Sequence, residues 1–429
     1  MLEASGYLRR VVDEELDELL TSLPAVSLDG AKAVGKTATA TQRAATIHRL
    51  DDPAERSLAD ADPRRLLEGS RPVLIDEWQR LPGSWDLVRR AVDDPGSAEP
   101  AAYLLTGSAS PQNPPTHSGA GRIVSVRMRT LTLAERRTET PTVSLRALLG
   151  GSTPQLEGNT QVDLETYVAE ILASGFPGLR GLSGRPLRAQ LDGYLERIVD
   201  RDFEEMGRRV RRPRTLRSWM TAYAAASSTT ASLETIRDAA TSGEREKPTR
   251  KATIPYRDTL ERLWILDPVP PWLPTRSHLR RLASPAKHQF IDPALACRLL
   301  GVDAGALLDA KHVGPPIPRD GTLLGSLFES LVTLCVRVYA QAAEATTKHL
   351  RTASGEHEVD LIVERDDGRV VAMEVKLART VGDRDLRDLH WLRDRIGADL
   401  LDAIVITSGS DAYRRRDGIG VVPAALLGP

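Results

Sequence analysis

The chain has 429 residues, more than a single hydrophobic core usually holds, so we expect two or three domains. Hydrophobic residues make up 41% and charged residues 27% of the chain, with a formal net charge of −1; this excludes a general electrostatic attraction to nucleic acid or to membranes. The first residues lack the apolar core of a signal peptide, and no apolar run approaches the ~18 residues of a membrane span, so we expect a cytoplasmic protein without a membrane partner.

The first part of the chain alternates apolar strands with helices. The predicted strands are AVSL (25–28), ATIHRL (45–50), PVLID (72–76), AYLLTG (102–107) and IVSVRM (123–128). Helices are predicted at 7–22, from about 36, at 62–69 and at 84–93. This alternation indicates an α/β unit with a parallel sheet over roughly residues 24–130.

The rest of the chain is predicted to be helical first and mixed α/β afterwards. Amphipathic helices are expected at 163–174, 184–207 and 213–225, followed up to residue 295 by further helices and a strand pair. The last block combines helices at 323–340 and 384–396 with strands at 358–364, 370–377 and 403–409. We therefore divide the chain at 1–137, 138–212, 213–300 and 301–429. Cys297 and Cys335 lie in apolar runs and are expected to be buried thiols rather than a disulfide.

Residues 30–37, GAKAVGKT, fit the phosphate-loop pattern G-x-x-x-x-G-K-[ST]. An apolar strand precedes the loop and a helix follows it, so backbone amides and the helix N-terminus can surround a phosphate group. Lys36 is expected to reach the β- and γ-phosphates, and the Thr37 hydroxyl to bind Mg²⁺. The residues predicted to contact the nucleotide are Gly30, Ala31, Lys32, Ala33, Val34, Gly35, Lys36, Thr37 and Ala38.

The strand VLID (73–76) supplies the second half of this predicted site. It ends at Asp76, which can hold Mg²⁺, and the next residue, Glu77, can orient and deprotonate an attacking water. The sequence therefore predicts binding of ATP or GTP, with Mg²⁺ as cofactor and with hydrolysis.

Two further residues are candidates for catalysis. Ser108 follows the strand YLLTG (103–107), where its hydroxyl could sense the γ-phosphate or the water; the alternative is an ordinary turn after a strand. Arg122 could stabilise charge on the transferred phosphoryl group, in its own subunit or in that of a neighbour; the alternative is a solvated arginine.

Several segments of the chain occur in the order found in one known group of proteins. They are YLRR (7–10), LDGAKAVGKTATA (28–40), LDDP (50–53), ADP (61–63), VLIDEWQRLP (73–82), LLTGS (104–108), GR (121–122), GFPGL (175–179), FID (290–292) and the block from 355 to 377. The chain resembles prokaryotic AAA-type ATPases that carry the domain of unknown function 4143 at their C-terminus. This resemblance spans nearly the whole chain and implies a P-loop core, a middle winged-helix-like region and a C-terminal fold like that of restriction endonucleases.

The middle region contains a predicted helix at 251–264 that could enter a DNA groove. Its basic residues are Arg250, Lys251, Arg257 and Arg262, and nearby acidic residues are Glu244, Glu246, Asp258 and Glu261. The basic residues suit contacts with phosphates, whereas the acidic ones dilute the positive charge. DNA binding and a protein-partner role both remain open.

Glu329, Asp360, Glu374 and Lys376 follow the order of a PD-(D/E)xK nuclease. In such a site carboxylates hold Mg²⁺, and a lysine two positions after the last carboxylate steadies the nucleophile. Strand alternation places Glu374 and Lys376 on one face, so the geometry is feasible. The alternative is a strand with its polar face in water, which produces the same E-x-K spacing.

Together these features predict an AAA-like ATPase whose nucleotide cycle moves the C-terminal modules, with ATP as ligand, DNA as a candidate partner and a homo-oligomer as a candidate assembly. Two alternatives belong to other classes. One is a Mg²⁺-dependent DNA nuclease with a regulatory nucleotide site, and the other is a non-hydrolytic switch in which ATP controls protein binding.

Overall fold

The structure is a computed structural model that describes residues 6–94, 99–108, 119–208, 210, 212–241, 250–272, 285–309, 317, 321–352 and 355–429. Within these residues two large sheets are joined by a helical middle region. Glu244 and Glu246 lie outside the described residues, and so do the side chains of Arg250 and Lys251.

A five-stranded parallel sheet forms the first part of the chain, as predicted. Its strands β1 to β5 are Ala25–Asp29, Thr46–Arg49, Val73–Asp76, Tyr103–Gly107 and Val124–Arg127. Their spatial order is β2-β3-β4-β1-β5, and all neighbours are parallel. β3 and β4 are buried along their whole length, which explains their unbroken apolar sequences. Because the strands are parallel, Asp29, Asp76 and Gly107 end at the same edge of the sheet.

Four helices accompany this sheet. They are α1 Val12–Leu20, α2 Lys36–Thr41, α3 Pro53–Ala61 and α4 Gly83–Asp93. α1 is shorter than the predicted 7–22, and Tyr7, which precedes it, donates its hydroxyl to Asp13. α3 was not predicted; Asp52 caps it by accepting from the Ala54 amide. The helix predicted at 62–69 is only the 3-10 turn Pro63–Leu67, because Asp62 ends α3 and starts a new turn.

The middle region is mostly helical, apart from the short strand β6, Val143–Ser144. Its helices are α5 Leu133–Arg136, α6 Leu145–Leu149, α7 Leu164–Ala173, α8 Gly184–Arg197, α9 Phe203–Glu205, α10 Pro213–Ala225, α11 Leu233–Ala239, α12 Arg250–Arg262, α13 Pro293–Leu300 and α14 Ala304–Leu308. The segment predicted to be helical over 184–207 is helical from Gly184 to Glu205, but the π-helical turn Ile198–Asp202 interrupts its α-helical geometry. The interruption coincides with Asp202, whose carboxylate binds Lys32. The expected strand pair consists of two isolated antiparallel bridges, Leu266 with Phe290 and Val269 with Lys287.

The C-terminal part contains a six-stranded mixed sheet. Its strands are β7 Thr346–Arg351, β8 Glu358–Glu364, β9 Val370–Lys376, β10 Leu400–Thr407, β11 Tyr413–Arg414 and β12 Gly420–Pro423, in the order β11-β12-β10-β9-β8-β7. β9, β10 and β12 are parallel, whereas β7, β8 and β9 are antiparallel. The sequence did not indicate β7, which is polar, or β11 and β12, which are short. A helix, Arg387–Ile396, connects β9 to β10.

The helix α15, Leu323–Ala342, passes through the core. This helix of 20 residues is long and apolar enough to cross a membrane, judged by length and composition alone, whereas the sequence analysis expected no apolar run of that length. However, 72% of its most apolar 18-residue stretch is buried inside the protein. Its burial is typical of a core helix, which passes the same test. Cys335, on this helix, and Cys297 are both buried free thiols, as predicted.

Candidate functional site

The phosphate loop joins β1 to α2 in a tight, partly left-handed path. Gly35 has φ of 102°, a conformation that only glycine adopts easily, and Ala33 also has a positive φ of 67°. Gly30 has no room for a side chain, because a Cβ there would lie 2.3 Å from the Met128 carbonyl oxygen. Ala31 and Val34 are fully buried, which anchors the loop against the sheet. Ala38 lies in the first turn of α2.

Lys36 is buried at the base of the loop. Its Nζ donates to the carbonyl oxygens of Gly30, at 2.9 Å, and Ala31, at 2.8 Å. Burial lowers the pKa of Lys36 to about 8, although the charges of Glu77, Asp29 and Asp76 oppose this shift. The ammonium group therefore lies next to the carboxylates at the carboxyl edge of the sheet.

Asp76 at the end of β3 binds two hydroxyl groups. Thr37 donates from Oγ1 to Asp76 Oδ1 at 2.8 Å, and Thr106, at the end of β4, donates to the same oxygen. Asp76 is only 5% exposed. A carboxylate and adjacent hydroxyls are the hard oxygen ligands that Mg²⁺ prefers, so the donor set fits the predicted metal.

Glu77 is held in a left-handed conformation, with φ of 57°. Ser108 donates to its Oε1 at 2.5 Å, Gln79 donates to its Oε2 at 2.5 Å, and its own amide donates to Thr106 Oγ1 at 3.2 Å. Ser108 thus lies beside the predicted base, as a sensor residue would. Gln79 was not among the residues predicted from the sequence, although its position two residues after Asp76-Glu77 could have indicated that it lies near the site.

Lys32 is turned towards the middle region. Its Nζ lies 2.6 Å from Asp202 Oδ1 and 2.9 Å from Glu205 Oε2, and its carbonyl accepts from the Tyr194 hydroxyl at 3.1 Å. Arg10 braces the loop from the other side by donating to the Val34 carbonyl at 2.8 Å. The phosphate loop is therefore in direct contact with segments far from it in sequence.

Arg122 does not reach the phosphate loop of its own subunit. Arg122 precedes β5. The last residue of β5, Arg127, is paired with Asp29 at the edge of the sheet where the phosphate loop begins, so Arg122 lies at the opposite edge. Its guanidinium is 45% exposed and pairs with Asp93 at 2.8 Å. The length of β5 separates Arg122 from the phosphate loop of the same chain, and the catalytic role of Arg122 stays a prediction.

Arg127 was missed by the sequence analysis. Its three guanidinium nitrogens are buried and have no hydrogen-bond partner among the described residues. The guanidinium stacks on Trp264, 3.6 Å from the ring centroid, and burial lowers the pKa of Arg127 to about 9. The end of β5 thus contacts the middle region.

A second cluster lies in the C-terminal part, where the structure brings all four predicted residues to one cavity of about 980 Å³. Lys376 Nζ lies 2.9 Å from Glu374 Oε2, so the two side chains share a face as predicted. The alternative of a water-facing strand is wrong, since Glu374 is 4% exposed and β9 is buried almost throughout. Burial and the charge of Asp360 raise the pKa of Glu329 to about 8 and that of Glu374 well above its usual value.

Lys287 occupies the centre of this cluster, and the sequence analysis did not assign it there. Its Nζ lies 2.8 Å from Glu329 Oε1, 3.0 Å from Asp360 Oδ1 and 3.4 Å from Glu358 Oε1. It is 1% exposed, and these carboxylates hold the pKa of Lys287 well above its usual value despite burial. Lysine is rare in this chain, which was the one available signal.

On helix α12, acidic side chains neutralise part of the positive charge. Arg257 pairs with Asp258 at 3.0 Å and with Glu261 at 3.5 Å on the same helix. These pairs reduce the positive charge that this helix offers to DNA phosphates.

Comparison with known proteins gives three family matches along the chain. An AAA domain family matches residues 22–136, the domain of unknown function 8612 matches residues 164–306, and the domain of unknown function 4143 matches residues 324–427. The uncharacterized proteins Rv2008c of Mycobacterium tuberculosis and Mb2031c of Mycobacterium bovis are each 26% identical over 434 residues, covering 97% of this chain and 83% of the relative.

A Walker-type ATPase, PABY2304 of Pyrococcus abyssi, is similar in structure with a TM-score of 0.40 and 17% identity, over 70% of this chain and 97% of the other. The parallel sheet, the phosphate loop and the family matches agree on the class of the protein. The chain carries an AAA domain of the P-loop ATPase class at its N-terminus and the domain of unknown function 4143 at its C-terminus.

Proposed function

We propose that this chain binds ATP and hydrolyses it with Mg²⁺. The observation that carries the proposal is the position of Glu77: two side chains hold its carboxylate beside Asp76, at the same edge of the sheet as the phosphate loop. A carboxylate fixed there is suited to accept the proton of an attacking water.

The residues of the chain divide the work. The loop amides and Lys36 bind the phosphates, and Lys36 exchanges its two carbonyl partners for phosphate oxygens. Thr37 and Asp76 would hold Mg²⁺, which neutralises charge on the phosphates when bound. Ser108 and Gln79 orient Glu77, and Glu77 positions and deprotonates the water.

The test is ATP turnover by Glu77→Gln. We expect kcat to fall by about 10²–10⁴-fold, since the amide cannot accept the proton, while ATP binding persists. Glu68→Gln, at an exposed position, is the matched control. Unchanged phosphate release by Glu77→Gln would contradict hydrolysis through this base and favour the non-hydrolytic switch.

We further propose that the nucleotide cycle drives the C-terminal modules in a homo-oligomer, with DNA as partner. This proposal is supported by the position of Arg122, which lies away from its own phosphate loop and is exposed. ATP turnover should then rise above a threshold protein concentration and rise again with DNA. Turnover that is independent of both would contradict these two partners.

DNA cleavage by the C-terminal cluster is a second candidate function. It is favoured by the convergence of Glu329, Asp360, Glu374 and Lys376 on one cavity. Its test is nicking of plasmid DNA with Mg²⁺ or Mn²⁺, compared with Asp360→Ala. Absence of nicking, or equal nicking by the variant, would contradict it.

A further inference from the structure

The cavity of about 980 Å³ lies between the middle region and the C-terminal sheet. One wall carries four carboxylates, contributed by α15, β8 and β9: Glu329, Glu358, Asp360 and Glu374. Several carboxylates that converge from separate elements repel one another in a buried site unless a cation or bound protons neutralise them.

The cation in this structure is the ammonium group of Lys287. It lies within 3.4 Å of oxygens from Glu329, Asp360 and Glu358. Carboxylate oxygens drawn from separate elements are also what a hard divalent cation uses as ligands. Within the described parts of the chain, no group of three His, Cys, Asp or Glu side chains is arranged to hold a metal ion in this conformation.

A second observation shows that the cluster is not fully satisfied. Glu374 is 4% exposed, and its Oε1 is buried without a hydrogen-bond partner among the described residues. Its other oxygen binds Lys376 at 2.9 Å. A buried acceptor without a partner is uncommon and indicates an additional ligand.

Lys287 belongs to a different part of the chain from the carboxylates. Its backbone pairs with Val269 through two hydrogen bonds of 2.9 Å, and the following residue, His288, donates its amide to the Thr229 carbonyl at 2.8 Å. The lysine is thus fixed to the middle region, whereas the carboxylates are fixed to the C-terminal helix and sheet. Any displacement of one part from the other separates the charges.

We propose that Lys287 is an internal cation that occupies a latent divalent-cation site, so that a divalent ion binds these carboxylates only when Lys287 is withdrawn. The middle region then controls the C-terminal site directly. This inference does not depend on ATP hydrolysis, and nuclease chemistry in the cavity would require displacement of the lysine first.

The experiment measures Mn²⁺ binding to the full, nucleotide-free chain by the loss of the free-Mn²⁺ EPR signal, together with Tm with Mn²⁺ and with EDTA. Lys287→Met removes the ammonium but keeps the length of the side chain. We expect no Asp360-dependent site in the wild type, and one Mn²⁺ bound at least about tenfold more tightly in the variant, with Tm raised by several degrees.

Two further variants control the assignment. Lys287→Met combined with Asp360→Asn should lose the gained binding, because it removes a ligand. Lys348→Met, which removes a lysine paired with Glu364 elsewhere in the same sheet, should gain none.

The proposal is overturned if the wild type binds Mn²⁺ as tightly as Lys287→Met in an Asp360-dependent way, or if folded Lys287→Met binds none. If Lys287→Met does not fold, the same measurements are made on Lys287→Gln. Failure of both variants to fold in EDTA but recovery with Mn²⁺ supports the proposal, and failure without recovery overturns it.

Discussion

At the scale of single residues, hydrogen bonds from neighbouring side chains fix the two acidic residues at the carboxyl edge of the parallel sheet. Asp76 accepts from Thr37 and Thr106, and Glu77 accepts from Ser108 and Gln79. In the proposed mechanism these neighbours direct the two adjacent carboxylates to separate tasks, Asp76 to a metal and Glu77 to a water. The identity of the neighbours decides the role of each acid.

Ser108→Ala tests this division. The substitution removes the donor to Glu77 Oε1, and with it the hydroxyl that was predicted to sense the γ-phosphate or the water. We expect kcat to fall by roughly tenfold with little change in KM, because a less fixed base costs turnover rather than binding. Steady-state kinetics provide the measurement, and Ser22→Ala, at an exposed position, is the control. A rise in KM alone would instead place Ser108 in nucleotide binding.

At the scale of elements, the phosphate loop contacts segments from two distant parts of the chain. Arg10 pairs with Glu135 at 2.9 Å and also donates to the Val34 carbonyl. Lys32 reaches Asp202 in the π-helical turn, which breaks what would otherwise be one regular helix. Since π-turns often accompany functional sites, the turn is placed to report on the state of the loop.

Lys32→Met tests this connection. The ion pair is partly exposed, so we expect the free energy of unfolding to change by less than about 1 kcal/mol. In the wild type, ATP should slow amide hydrogen exchange over residues 198–205, and in the variant this protection should be lost while ATP affinity changes little. Tyr194→Phe, which removes the bond to the Lys32 carbonyl, is the matched variant. A large loss of ATP affinity would show instead that Lys32 contacts the nucleotide, as the sequence predicted.

How far the sequence predicts the structure also depends on the element. The parallel sheet was predictable because its strands are continuous apolar runs buried on both faces, and the phosphate loop because its glycines have fixed spacing. The strand β7 was not predictable, since its residues TTKHLR are polar and become buried only by packing against other segments. The role of Lys287 was not predictable either: the rarity of lysine draws attention to it, but no local pattern reveals carboxylates that are 42 or more residues away.

At the scale of the whole molecule, buried polar contacts join the middle region to the C-terminal sheet in addition to a shared apolar core. His349 on β7 is one of them: its amide donates to the Pro270 carbonyl at 3.0 Å, and its Nε2 lies 3.1 Å from the Pro285 carbonyl. Lys287 enters the carboxylate cluster from the same segment of the middle region. A change of charge at this junction therefore affects both the middle region and the C-terminal sheet.

Acid should weaken this junction. His349 is 1% exposed, and burial together with the charge of Lys287 lowers its pKa from 6.5 to about 4. Below pH ~6.5 the unfolded chain takes up a proton that the folded chain rejects until pH ~4, so stability is lost as pH falls through this window. Between pH ~7.5 and pH ~4.5 the loss from this residue amounts to about 2 to 3 kcal/mol.

Urea unfolding of the wild type and of His349→Gln at these two pH values measures the effect. The variant starts from a lower stability but should lose about 2 to 3 kcal/mol less on acidification, because glutamine does not titrate. His390, whose side chain is 40% exposed, provides the control: His390→Gln should lose as much stability on acidification as the wild type. Equal losses in the wild type and in His349→Gln would mean that His349 takes up its proton without opening the junction, and acid sensitivity would then have to arise from the carboxylates.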